Sequence, residues 1–199
     1  MSLKVNEIKQ PAKKTDYGRL EDGNHLARIV SVIDMGLQAQ TDWQTKEATD
    51  PKKIVMITFE TPNETITIKD KEGNEEDKPR WISKDYTLSF HEMAALRKLV
   101  DALNPELESL DELLNTPCMI NIGSTVSNNA KIVGVSKPMK GMEVPELYGD
   151  AFQFDFSHPN MELFNGLLKW QQEKIKEALD YNGFADAGTP TTDAGNDDF

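Results

Sequence analysis

Short runs of apolar residues, many of them β-branched, dominate the first half of the chain. β-Branched side chains lose rotamer freedom in a helix and pack well on a pleated strand. The predicted strands are residues 26–35, residues 53–60 with a continuation at 64–68 beyond Pro62, and residues 80–90. The polar stretch 37–52 between the first two strands ends at Asp50-Pro51, a pair that breaks regular structure, so we expect a long loop there.

Helical spacing then replaces the strand pattern. Ser89 to Glu92 has the spacing of a capping box, and apolar residues recur every three or four positions from there to Leu103. Ser109 to Glu112 repeats the capping-box spacing and predicts a second, short helix. Two further strands are predicted at 118–122 and 131–135.

The predicted order is three strands, a helical connection and two strands. That order indicates a mainly β (α+β) domain and is expected of an OB-fold, a five-stranded Greek-key barrel with its helix between strands 3 and 4. Other small α+β domains can share this order.

The remaining segments divide the chain into four parts. Residues 1–19 predict a flexible, mildly basic arm, and residues 20–138 the barrel. Residues 139–181 predict a loop with three phenylalanines (Phe152, Phe154, Phe156) and then one amphipathic helix from about residue 160, packed on the barrel. Residues 182–199, rich in Gly, Ala, Thr and Asp, predict a disordered acidic tail.

Composition narrows the class of protein. The chain has 199 residues and a single cysteine, Cys118, which we expect to be a buried structural thiol in a reducing compartment. No apolar stretch reaches the roughly 20 residues that span a bilayer, and the polar N-terminus does not resemble a signal peptide, so we expect a cytoplasmic protein with no membrane partner.

The formal net charge of −12 argues against a nucleic-acid partner only if the charge is spread evenly. It is not, because the last 18 residues hold four acids and no base, and residues 70–77 hold five acids and one lysine. Most of the excess negative charge therefore lies in two segments. A basic groove elsewhere on the fold remains compatible with the total.

The chain ends in Asp197-Asp198-Phe199. An OB-like order followed by an acidic tail with a C-terminal Phe resembles the single-stranded-DNA-binding proteins of bacteria and, more closely, of bacteriophages. Residues 78–92 (KPRWISKDYTLSFHE) and 27–34 (ARIVSVID) are also similar to a recurring phage family of this kind. The bacterial tails place Ile-Pro before the final Phe, whereas this chain has Asn196-Asp197-Asp198.

The resemblance implies a function in phage DNA replication and recombination, in the host cytoplasm. It implies sequence-independent binding and protection of single-stranded DNA, and a tail that recruits replication or recombination proteins. The partner-binding residues would be Asp193, Asp197, Asp198 and Phe199. A ring and a terminal carboxylate together suit a small apolar pocket rimmed by Arg or Lys, and the aspartates can also compete with DNA for the protein's own basic groove. The alternative is a tail that only improves solubility.

Single strands are held by cations along the backbone and by flat rings on which bases stack. The candidate DNA-binding residues are Arg28, Trp43, Lys52, Lys53, Arg80, Trp81, Lys84, Tyr86 and Lys131. Trp81 and Tyr86 face opposite ways in an unbroken strand, so we expect Tyr86 in the core and Trp81 either stacking bases or buried under the C-terminal helix. Lys84 shares the face of Tyr86, and would point outward only where the strand twists or bulges.

No catalytic or metal-binding pattern emerges, so we expect a protein that is not an enzyme and needs no cofactor. His91-Glu92 lacks the second histidine of a zinc-protease motif, because position 95 is alanine. The loop that starts at Asp70 lacks the glycine of a calcium loop. The alternative function is a protein-binding adaptor or virion component that uses the C-terminal helix and the Phe152 to Phe156 cluster. A nuclease whose site the sequence does not reveal is a third hypothesis.

Overall fold

The computed structural model describes residues 19–69 and 73–184, which form one six-stranded sheet and a few short helices. The mainly β class predicted from the sequence is confirmed. The strands are β1 (Gly23–Thr41), β2 (Ala48–Lys69), β3 (Glu75–Thr87), β4 (Pro117–Ser124), β5 (Ala130–Ser136) and β6 (Phe152–Phe154). The helices are α1 (Ala95–Leu103), a 3₁₀ helix (Leu110–Leu113), α2 (Met161–Gly166) and α3 (Lys169–Lys176).

The strand order in the sheet is β3-β2-β1-β4-β5, and all neighbours in this path are antiparallel. β6 joins the middle of β1 in parallel. β1 bends sharply because its register against β2 shifts at several points, one of them around Gly36. Gly36 has a φ of +72°, and a Cβ there would stand 2.7 Å from the ring of Phe156, so only glycine fits. The bend curls the sheet until its two edge strands, β3 and β5, contact each other without pairing.

The main core fills the concave side of this curled sheet. Alternate residues of β2 and β4 point into it, among them Ile57, Phe59 and Ile120, and α1 covers one end with Leu96 and Leu99. Burying each such side chain contributes about 1.5–3 kcal/mol. Cys118 lies in the same core, as predicted.

A second core forms on the convex side, where the C-terminal segment packs on β1 and β2. Phe154, Phe164 and Phe184 pack against each other with ring centroids 5.3–6.0 Å apart, and Ile33 and Met56 come from the sheet below them. Phe154 is therefore interior, whereas Phe152 and Phe156 are partly buried. The adaptor hypothesis that used this cluster as an interface stays a hypothesis.

Four predictions about the elements are wrong. The loop predicted around the three phenylalanines contains the strand β6. The long loop at 37–52 is replaced by strand, because β1 continues to Thr41 and β2 already begins at Ala48. Both arms of this hairpin are mostly exposed, so no buried alternation marks them in the sequence. The capping box at Ser89 does not form, and α1 begins at Ala95, whereas the one at Ser109 does form.

The predicted single C-terminal helix is instead two helices. The chain is extended at Leu167 and Leu168, which separates α2 from α3 and lets the side chain of Leu167 turn into the second core. No helix in the two described ranges is long and apolar enough to span a bilayer.

Candidate nucleic-acid interface

The two unpaired edges of the sheet leave an open line between them. We call this line the seam and define it by Arg80–Tyr86 of β3 on one side and Ala130–Val135 of β5 on the other. At the strand rise of about 3.3 Å per residue, the seam is about 20 Å long. β5 has a bulge at Val133, since Ile122 pairs with Ile132 and Asn121 with Gly134. The bulge twists β5 and leaves this residue unpaired, facing the seam.

Three adjoining cavities follow the seam. The first, of about 240 Å³, lies at the Arg80 end and shares Ala130 with the central cavity of about 470 Å³. The third, of about 230 Å³, lies at the Tyr86 end and shares Lys84 and Val133 with the central one. The cavities therefore form one continuous shallow groove.

Positive charge is concentrated along this groove. Among the residues described, those that line the three cavities include no aspartate or glutamate. Asp85, which lies within the β3 side of the seam, lines none of the cavities and forms an ion pair with Lys174. The basic residues that line the three cavities are Arg19, Arg80, Lys84, Lys98 and Lys131. In a chain of net charge −12, this separation of charge produces a local site suited to a polyanion.

Lys84 spans the seam. It faces the interior side of β3, as its position relative to Tyr86 predicts, and it reaches the gap because β3 is an edge strand. Its Nζ donates a hydrogen bond to the Ile132 carbonyl oxygen at 3.0 Å and lies 5.2 Å from the centroid of the Tyr86 ring. Burial, together with the nearby Lys131 charge, lowers the pKa of Lys84. An ammonium has three donors and the carbonyl uses one, so donors remain for a ligand.

The two aromatic candidates of β3 separate as the strand geometry predicts. Tyr86 is only 2 % exposed and belongs to the main core, so it is not a stacking surface. Burial also raises the pKa of its hydroxyl. Trp81 faces the opposite way, is 50 % exposed and lines the first seam cavity, so it is not buried beneath the C-terminal helices.

Trp43, Lys52 and Lys53 lie on the arm of the β1–β2 hairpin, beyond the Tyr86 end of β3. Trp43 is 75 % exposed at the tip. The tip is an Asx turn in which Asp42 Oδ1 accepts from two backbone N–H groups. None of these three residues lines the seam cavities, so they form a separate surface.

The prediction that Arg28 binds DNA is corrected by its contacts within the protein. Its side chain is only 12 % exposed, and its guanidinium donates to the carbonyl oxygens of Asn115, Val144 and Pro145 and to the carboxylate of Glu146. These bonds hold residues 144–146 across β1. A guanidinium occupied in this way is structural and not open to phosphate.

The structure adds residues that sequence reasoning missed. Lys98 comes to the seam from α1 and Arg19 from the start of the described chain. No local pattern places a helical lysine beside an edge strand, because the placement depends on how the helix caps the curled sheet. The tail candidates Asp193, Asp197, Asp198 and Phe199 lie outside the described residues.

Within residues 19–69 and 73–184, no group of three or more His, Cys, Asp or Glu side chains is placed to hold a metal ion. Comparisons with models of protein families, with curated proteins and with solved structures gave no match to this chain.

Proposed function

We propose that this protein binds single-stranded DNA without sequence preference and that the seam holds the phosphate backbone. The observation that carries this proposal is the row of Lys and Arg side chains along an open groove that has no acidic lining residue among those described. Cations that track a backbone give affinity without reading bases. At a stacked spacing of about 3.4 Å per phosphate, a groove of about 20 Å accommodates about six nucleotides.

The fold supports the same proposal. We infer an OB-like barrel from the β1-β2-β3 meander, from β4 beside β1, from β5 returning to the edge of β3, and from α1 between β3 and β4. OB-folds commonly bind oligonucleotides on the face around strands 2 and 3. In this protein the Lys and Arg side chains lie at the free edge of β3, where a single strand of DNA can reach them from solvent.

The biological role proposed is protection of single strands in phage DNA replication and recombination. Support comes from the similarity of residues 78–92 to the phage family and from the final Asp-Asp-Phe. The acidic tail would recruit replication or recombination enzymes and compete with DNA for the seam. Removing residues 190–199 should then raise DNA affinity and abolish recruitment of the partner.

The test is a titration of a fluorescently labelled oligothymidine at low and high salt. The proposal expects saturable, salt-sensitive binding, similar affinity for mixed-sequence oligonucleotides, weaker binding of duplex, and no cleavage. No binding at low salt would refute it.

A second candidate function is a protein-binding adaptor. The observation that favours it is a set of exposed apolar side chains in the C-terminal segment: Leu168 just before α3, Trp170 on α3 and Leu179 after it. An adaptor that uses this surface would show no affinity for oligothymidine, so the same titration separates the two functions.

A further inference from the structure

Glu60 is a carboxylate in the middle of β2 that is only 1 % exposed. A buried carboxylate loses its hydration and costs several kcal/mol unless hydrogen bonds replace the water. Both oxygens of Glu60 are occupied. Oε2 accepts from the Trp81 indole Nε1 at 2.8 Å, and Oε1 accepts from the Tyr148 backbone N at 2.8 Å. Both partners are neutral N–H groups, and no ion pair among the described residues includes Glu60.

The desolvation of a buried carboxylate offsets much of what its hydrogen bonds contribute, so stability alone gives little reason for a glutamate at this position. Glu60 instead joins two elements that lie far apart in the sequence. On one side stands Trp81, its direct cross-strand neighbour on β3. On the other side is Tyr148, which follows the segment that Arg28 holds across β1. Glu60 and Arg28 are themselves paired positions of β2 and β1.

The bond to Nε1 fixes how the half-exposed indole lies on the sheet. A tryptophan without this bond could change its side-chain torsions, and a ligand that stacked on it would have to order it first. Trp81 also lines the first seam cavity together with Arg80 and Arg19. The ordered Trp81 ring therefore lies where a single strand of DNA bound in the seam would place its nucleobases.

Resting on the proposed function, we propose that Glu60 is a positioning residue that orients Trp81 as a stacking platform for an unpaired base at the Arg80 end of the seam. Exposed Tyr148, whose hydroxyl donates to Glu76 and whose ring lies 5.8 Å from Lys78 Nζ, is held beside this platform through its backbone N–H. The ligand recognised here is a base with a free face, as in single-stranded nucleic acid and not in a duplex.

The test uses E60Q, which keeps the shape of the side chain but turns an amide N–H₂ toward one of the two N–H donors. Binding of labelled oligothymidine should weaken about three- to tenfold, with the salt slope unchanged because no phosphate contact is lost. The matched control is E64Q, the same substitution on the same strand at a partly exposed glutamate that faces His25. It corrects for the loss of one negative charge. W81A, which removes the platform, should weaken binding by about tenfold or more.

A fluorescence readout separates positioning from general stability. The chain has three tryptophans, so replacing Trp43 and Trp170 by Phe leaves Trp81 as the only indole. In that background we expect oligothymidine to quench Trp81 emission, and E60Q to lower both the emission anisotropy of the free protein and the quenching at saturating DNA. Equal affinity, anisotropy and quenching in E60Q and E64Q would overturn the proposal.

The outcomes also distinguish this inference from the proposed function. A parent protein that binds DNA with a salt slope, but whose affinity W81A leaves intact, refutes the platform and leaves the seam standing. A parent protein that does not bind refutes both. If E60Q does not fold, W81F takes its place, since it keeps a ring and loses the indole N–H. Its affinity should fall between those of the parent and W81A, and an affinity equal to the parent's would overturn the proposal.

Discussion

Replacing Lys131 by alanine tests whether the seam holds a phosphate backbone. Lys131 is exposed, lines the central seam cavity and has no ion-pair partner among the described residues. The expected size follows from the three seam lysines, Lys84, Lys98 and Lys131, because Arg19 already pairs with Asp22 and Arg80 already interacts with another group of the protein. If each neutralises one phosphate, the slope of log affinity against log salt is about −2.1, and K131A lowers it to about −1.4.

Over a fourfold rise in salt these slopes predict a loss in affinity of about 20-fold for the parent protein and about 7-fold for K131A. The assay is fluorescence anisotropy of a labelled oligothymidine at several salt concentrations. K140A, which removes an exposed lysine outside the seam cavities, is the matched control and should keep the slope of the parent. Because Lys131 is a surface residue, K131A should leave the free energy of unfolding within about 0.5 kcal/mol. A parental slope in K131A, or an equal reduction in K140A, would refute the assignment of the seam.

Three further predictions concern chemistry and stability. Burial raises the pKa of the Cys118 thiol to about 12, so a thiol reagent should label the native protein very slowly and the urea-unfolded protein rapidly; fast labelling of the native chain would contradict its burial. R28K keeps the charge but loses the several N–H donors of the guanidinium that hold residues 144 and 145. It should lower the free energy of unfolding by about 2–3 kcal/mol in urea denaturation and expose the segment around Pro145 to protease. Parental stability would contradict the structural role of Arg28. Burial is the main cause that raises the pKa of Asp34 above 3.8, and the like charges of Asp155 and Asp180 contribute, so the folded state binds this proton more tightly than the unfolded state. The contribution of Asp34 to the free energy of unfolding should therefore fall as pH rises through the window just above 3.8. The difference in the free energy of unfolding between the parent protein and D34N, measured by urea titration on either side of the window, should shift by that amount, and an unchanged difference would contradict the raised pKa.

The local pattern of apolar and polar residues was sufficient to predict the strands that have one buried face. β4 was found from its apolar run, and the short helix at Ser109 from its capping box, because burial alternation and end-capping involve only near neighbours in the chain. The exposed hairpin arms gave no such pattern and were predicted as loop. The break at Leu167–Leu168 was also missed, since its cause is the fit of Leu167 into a core made by distant residues.

The candidate site divides in the same way. Strand alternation correctly assigned Tyr86 to the interior and left Trp81 on the outer side, and the sequence supplied Lys84 and Lys131 as candidates. It also nominated Arg28, whose engagement with residues 144–146 depends on a segment more than a hundred positions away.

The sequence by itself determined the strands that have a buried apolar face, and it determined that negative charge collects in two segments. Only the tertiary structure decided that β3 and β5 become neighbouring edges. For that reason Lys84 contacts the carbonyl oxygen of Ile132, and five Lys and Arg side chains line one groove. The physical reason is that strand formation depends on side chains a few positions apart, whereas the meeting of two edges depends on the accumulated twist and bending of the whole sheet.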